Sequence, residues 1–295
     1  MIVAVVLALA AALANAVNLM TQHLASVSAP PGTSGVRLAR YLIRSPMWLL
    51  GAAAGAGTYI LQAGALHNGP LSLVQPLLIT EMIFVMVLRR VWIHQYVRPA
   101  AWASVLTVAG ALAVFLAAAE PTGGQPAPEA AEWLTAGVVI GGIIAGLTLL
   151  GLHGSPIRRA GVLAAAAGMT WAMEAVFLKT ATETLSVSGP VAMFTGWPVY
   201  AFAAATVTGT ILQQAALHVG PLSLSQPLLA IIDPLTAIAL SIWLFGEHFS
   251  GSTADTAIAI VAFAVMAVGV TALTRTAPQT LSPDEGRPLP PPAQP

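Results

Sequence analysis

The chain has 295 residues, of which 57% are hydrophobic and only 7% charged, with eleven basic residues against eleven acidic ones and no cysteine. A soluble domain carries roughly 25% charged residues, so this composition cannot cover a water-facing surface and lipid must be the main solvent. The balanced charge offers no nucleic-acid-binding face, and the missing cysteines exclude disulfides, thiolate metal sites and thiol redox chemistry.

Crossing about 30 Å of hydrocarbon takes roughly 20 apolar residues in a helix. Nine such stretches follow one another. The first, 2–25, sets Asn15, Asn18 and Gln22 at i, i+3, i+7 spacing, so they line one face. Ala14-Asn15-Ala16 resembles a signal-peptide cleavage site, but no Lys or Arg precedes the apolar run, and a retained helix is expected. The second, 46–67, carries Gly51 and Gly55 and ends at His67; the third, 71–92, follows Gly69-Pro70 and carries Pro76 and Glu81. The fourth, 100–119, is apolar throughout, and EPTGGQPAPE at 120–129 breaks the chain before the fifth, 133–152. Gly137, Gly141, Gly142 and Gly146 in that fifth stretch predict close packing against another helix.

The sixth stretch, 160–179, holds Thr170, Trp171 and Glu174 and ends at Lys179. Five positions rotate Glu174 and Lys179 apart on an ideal helix, so Lys179 is expected to snorkel to the interface. The seventh, 195–218, offers Thr206, Thr210 and Gln213 at helical spacing and ends at His218. The eighth, 222–245, follows Gly220-Pro221 and carries Gln226, Pro227 and Asp233, with the glutamine and aspartate seven apart on one face. The ninth is 255–274, and the polar, proline-rich segment 275–295 reads as a disordered tail without chemistry.

Two phrases in this series match. Over 61–78 against 212–229, fourteen of eighteen positions are identical, including Gln62/Gln213, His67/His218, Gly69/Gly220, Pro70/Pro221, Ser72/Ser223, Gln75/Gln226 and Pro76/Pro227. Each phrase joins two helices. Gly-Pro ends one and starts the next, and the serine two residues on is placed to bond exposed amides. Pro76 and Pro227 each remove a backbone hydrogen bond and loosen the helix near its mouth. A hinge at paired positions is one expectation for these turns, and a compact static hairpin is the other.

The copies lie five helices apart, an odd number, so they must point in opposite directions across a bilayer. The organisation expected is therefore an all-α integral membrane protein of nine transmembrane helices: a first four-helix repeat over 1–120, a linking helix at 133–152, and a second repeat over 160–274. Inverted repeats of this kind are the plan of many secondary transporters. Basic residues tend to stay in the cytoplasm. With the N-terminus outside, Arg37, Arg40, Arg44, Arg89, Arg90, Arg98, Arg158, Arg159, Arg275 and Arg287 all fall inside, and Glu120, Glu129, Glu132, Glu183 and Glu247 outside. Eight or ten helices would spoil that separation. A cytoplasmic (inner) membrane is the expected location.

An ionised carboxylate at mid-bilayer costs about 2.5–3.5 kcal/mol on insertion scales, and such residues persist where they face a cavity or a partner. Glu81, Glu174 and Asp233 are expected to line a midplane pathway with Asn15, Asn18, Gln22, Thr170, Trp171, Gln213 and Gln226; hydrogen bonds between packed helices would account for any single stripe as well. Aligning the helix ends sets Asn18 against Glu174 and His23 against Lys179, whereas ungapped alignment sets Glu81 against Ile232, one residue short of Asp233. His67 and His218 end the second and seventh stretches and suit either proton coupling or a helix-end cap.

The four-helix units, the N-xx-N and E-xxxx-K features at Asn15/Asn18 and Glu174/Lys179, the GPLSL-x-QPLL turns and the LFGEHFS stretch at 244–250 resemble the drug/metabolite transporter superfamily over roughly 1–275. Within it the chain is similar to EamA-like and NIPA-like multi-pass transporters. The resemblance implies alternating-access movement of a small solute such as a metabolite, amine or drug-like compound, with a NIPA-like magnesium or divalent-cation transporter as the alternative. Small multidrug resistance proteins resemble one half and carry a membrane glutamate in their first helix, where this chain has Asn15 and Asn18 in one half and Glu174 only in the other. No cofactor is expected, the ligand being a small molecule or an ion; a homodimer is compatible with the sequence. No HExxH, paired-aspartate or Ser/His/Asp cluster marks a lipid enzyme, and no loop is long enough for a sensor or scaffold domain.

Overall fold

The computed structural model describes residues 1–28, 41, 43–92, 94, 96–119, 121–123, 128–220, 222–249 and 251–276. Arg37, Arg40, Glu120, Pro221, Arg287 and nearly all of the tail lie outside them, and the side chains of His23 and Ser223 are likewise not described. The elements run α1 (Ile2–Val27), α2 (Pro46–Asn68), α3 (Leu71–Leu78), α4 (Glu81–Trp92), α5 (Pro99–Ala119), β1 (Pro121–Gly123), α6 (Ala130–Leu150), α7 (Pro156–Thr195), α8 (Trp197–Val219), α9 (Leu222–Phe245), β2 (Glu247–Phe249) and α10 (Thr253–Thr276). The protein is an all-helical, multi-span membrane protein. Among the described residues eight helices are long and apolar enough to cross a bilayer, with α3 and α4 counted as one span. The seventh expected stretch also forms a helix, α8, which carries Thr206, Thr208, Thr210, Gln213 and Gln214 and is not among those eight.

Local chemistry places the helix starts. Ser45 and Ser155 accept hydrogen bonds from the Trp48 and Arg158 amides, and each is followed by a proline in the first turn, where a missing N–H costs nothing. Glu129 and Glu132 form a reciprocal cap at the start of α6. The sixth stretch runs on well past 179. Thr180, Thr182 and Thr184 turn their hydroxyls back onto backbone carbonyls and ride within the helix, which bends only at Gly189-Pro190, where Gly189 takes φ +83°.

α1 lies along α2, α7 along α8 and α5 along α10, while α9 packs on α7. The two helix pairs α1/α2 and α7/α8 make similar contacts. A Cβ on Gly69 would stand 2.6 Å from the Ala4 Cβ, and one on Gly220 2.3 Å from the Ala160 Cβ. Gly55 faces the Asn18 side chain, and Thr206 bonds to Glu174. Both comparisons keep the same sequence offsets, 156 positions between the first helices and 151 between the second. The two Gly-Pro turns lie far apart along α7: the first near its middle, through the contact of Leu71 and Ser72 with Glu247, which pairs with Lys179, the second near its start, through Ala160. Residues 160 and 179, at about 1.5 Å per residue, are about 28 Å apart along the axis.

Gly51 and Gly55 are close-approach residues as expected, with Gly51 fitting within 2.5 Å of Thr21 Oγ1 were a Cβ present. The α6 glycines are not. A Cβ on Gly137, Gly141, Gly142 or Gly146 would meet nothing within 4 Å. The helix touches α7 along one edge, through residues such as Ile144, and turns its glycine face outward.

Candidate functional site

The third span is interrupted where it matters. Pro76 lacks an N–H, and after Leu78 the chain winds more tightly for a turn, with Ile79, Thr80 and Met82 amides donating to carbonyls three residues back rather than four. A 3₁₀ turn rises about 2.0 Å per residue against 1.5 Å for an α-helix, so fewer residues cover the same depth. The matching part of α9 is continuous helix. That difference has the sign and size needed to bring Glu81 into line with Asp233. Beyond it the two spans run at an offset of 152, which pairs Glu81 with Asp233 and also His94 (φ +56°) with Gly246 (φ +62°), two residues with positive φ.

Glu81 opens α4 and lies beside α1. Asn15 Nδ2 donates to Glu81 Oε2 at 2.6 Å, Asn18 Nδ2 to Asn15 Oδ1 at 3.2 Å, and Gln22 Nε2 to Asn18 Oδ1 at 2.5 Å. The polar stripe of α1 is therefore a relay of amides whose donors all point toward one carboxylate, an arrangement in which each bond polarises the next.

Glu174 is buried on α7 at 3% exposure. Its Oε1 accepts from the Thr206 hydroxyl at 3.1 Å, and the Tyr59 hydroxyl of α2 faces the same carboxylate. Thr206 also lies 2.9 Å from the Phe202 carbonyl, so its single proton serves two acceptors. Tyr59 is held by an edge-to-face contact with Phe202 at 5.3 Å.

Asp233 on α9 sits where Gly168 of α7 allows close approach, a Cβ there standing 3.1 Å from the Asp233 amide. Its Oδ1 is buried and has no hydrogen-bond partner among the described residues. Asp233 is within electrostatic reach of both Glu174 and Glu81, so three acids from three helices share one region. None of the three is bonded to a Lys, Arg or His among the described residues.

The other expected pathway residues are placed less uniformly. Thr170 is buried and its hydroxyl returns to the Ala166 carbonyl, while Trp171 covers Gly209 of α8. Gln213 and Gln226 are partly buried, and their first-half counterparts Gln62 and Gln75 are buried. His67 and His218 are exposed at the ends of α2 and α8, away from the acids. Among the described residues no group of three or more His, Asp or Glu is close enough to hold a metal ion. An open groove lined by Gly146, Leu149, His153 and Arg158 lies at the α6–α7 turn, apart from this cluster.

One expectation about polar side chains is corrected, that for Ser72, while Lys179 does not pair with Glu174, as its five-residue spacing implies. Its Nζ lies 2.5 Å from Glu247 Oε1 and 4.3 Å from the centre of the Phe245 ring. Ser72 does not cap α3 with its own oxygen; its hydroxyl donates to Glu247 Oε2 at 2.7 Å, and Glu247 takes the Leu71 and Ser72 amides at 2.8 and 3.0 Å. Burial alone pushes the Glu247 carboxyl up, but the Lys179 ammonium and the bonds from Ser72 outweigh it and hold the group below the usual carboxylate range. The sequence signal for this pair was slight: opposite, isolated charges at helix ends expected on the same face. Tyr59 gave no signal at all.

An uncharacterised protein of Corynebacterium glutamicum is 29% identical to this chain over 279 residues, spanning 93% of this chain and 96% of the relative. No family model matches the chain, and no solved structure does.

Proposed function

We propose that this protein is a secondary transporter that carries a small solute across the cytoplasmic membrane by alternating access, built as two inverted four-helix repeats around a linking α6. The observation that carries the reading is the gathering of Glu81, Glu174 and Asp233 from α4, α7 and α9 with no basic partner among the described residues. Acids that only hold helices together pair with cations or with full sets of donors; acids left short of both suit a proton or a cationic group that comes and goes. The matched contacts of α1/α2 and α7/α8, and the wide separation of the two turns along α7, support the inverted repeat and the resemblance to drug/metabolite transporters. The arginine distribution supports an outside N-terminus and a cytoplasmic C-terminus. A divalent-cation cargo draws no support from the spacing of the acids, since among the described residues no three of them close on one point. We assign the chain no catalytic chemistry.

The test is solute flux into proteoliposomes over a panel of amines, metabolites and divalent cations. The wild type is expected to move at least one class, and Glu174→Gln combined with Asp233→Asn to abolish that movement. Equal flux in the double variant, or no flux of anything in the panel, would overturn the reading.

A further inference from the structure

Glu247 lies outside the acid cluster yet joins the three strands of architecture that carry it. Gly246 ends α9 in the left-handed conformation, and the chain turns Glu247 back over the helix ends. One carboxylate then holds the start of α3 through the Leu71 and Ser72 amides and the Ser72 hydroxyl, and α7 through Lys179. α3 leads to Glu81, α7 bears Glu174 and α9 bears Asp233. Any separation of α3 from α7 at this end of the molecule must break the contacts of Glu247. The clasp is sheltered, with Glu247 at 1% exposure, and β1 pairs beside it with β2, Thr122 opposite His248.

The arrangement is one-sided in sequence. At offsets of 156 for α1 against α7 and 152 beyond the tight turn, Lys179 and Glu247 correspond to His23 and Gln95. Those residue types contain no carboxylate, so an ammonium–carboxylate clasp cannot be repeated at the corresponding positions. A device needed only to hold helix ends together would be expected in both halves.

We propose that Glu247 is the bolt of a gate at the end of the protein marked by the first Gly-Pro turn, and that release of its contacts with Lys179 and α3 opens the path from the acids to that face. The inference rests on the transporter reading and gives it a direction: the mouth at the first Gly-Pro turn is latched by charge, and the positions that correspond to the latch in the other half carry no carboxylate.

Accessibility labelling tests it without any cargo, so its failure is separable from failure of the flux assay. The chain has no cysteine, and Ala237, one turn beyond Asp233 toward the clasp and fully buried, accepts a reporter as Ala237→Cys. With a membrane-impermeant maleimide on purified, monodisperse protein, Glu247→Gln is expected to label at least tenfold faster than the parent. Lys179→Met, which keeps the amide contacts, is expected to label faster by a smaller factor. A disulfide between Thr122→Cys and His248→Cys should return labelling of the Glu247→Gln protein to the parental rate, with reductant reversing the effect. The same lock in the otherwise unaltered reporter protein should slow the basal rate. Unchanged labelling in folded Glu247→Gln, enhancement that persists under the lock, or a basal rate indifferent to it would each overturn the gate.

Discussion

The matched glycine contacts give a quantitative test of the helix packing. Gly220 has φ −144°, an ordinary extended conformation, so alanine there carries no backbone strain. The methyl would nevertheless lie 2.3 Å from the Ala160 Cβ, whereas carbon atoms settle at about 3.5–4.0 Å. The turn and α7 must part by roughly 1 Å or more, and overpacking of that kind costs about 1–3 kcal/mol. Gly69→Ala, with 2.6 Å to Ala4, should lie at the lower end of the same range. Ala160→Gly removes the obstructing methyl, so Gly220→Ala with Ala160→Gly should be more stable than the sum of the single changes by about 1 kcal/mol or more. Gly69→Ala with Ala4→Gly should behave alike. The crossed pair, Gly220→Ala with Ala4→Gly, should be additive to within about 0.5 kcal/mol, because the two turns are far apart along α7. Unfolding in detergent micelles can be followed through the seven tryptophans. Additivity in the matched pairs, or coupling in the crossed one, would refute the packing on which the paired-turn argument relies.

Other outcomes follow from the polar contacts. Asn15→Leu removes the donor to Glu81 and should lower stability by about 1–3 kcal/mol, with Glu81→Gln in that background recovering part of the loss; no recovery would break the link between the two. Glu247, whose folded pKa lies below its unfolded value, contributes stability above the ordinary carboxylate range that is lost as pH falls through the lower folded value. Acidification from pH 6 to 3 should therefore lower the unfolding temperature more in the wild type than in Glu247→Gln, and parallel curves would refute the assignment. At neutral pH, Lys179→Met leaves a buried carboxylate without its cation and should cost about 3–5 kcal/mol by denaturant unfolding. Gly141→Leu on the open face of α6 should change stability by no more than about 0.5 kcal/mol, and a large loss would mean that the face is packed.

Residue patterns located most elements and some of the site. Runs of apolar residues placed the spans, and i, i+3, i+7 spacing put Asn15, Asn18 and Gln22 on one face, where they do bond in series. Other features depended on partners far away in the chain. Lys179 is 68 positions from Glu247, and Asn15 66 from Glu81. The α6 glycines show the converse error: small-residue spacing permits close approach but does not supply a neighbour. Glu81 and Asp233 looked unequal because ungapped alignment counts residues, whereas depth in the fold depends on rise per residue, and one tight turn alters that rise.

By itself the sequence determined the solvent, the spans and the two like turns, because each follows from local composition, spacing and chain length. Tertiary structure alone decided which charge meets which, where Tyr59 and Thr206 stand around Glu174, and that Asp233 keeps an oxygen without a partner among the described residues. The division has a physical origin. Burying an apolar helix in lipid is insensitive to its neighbours, while a hydrogen bond or ion pair inside it exists only within about 3 Å of a particular atom.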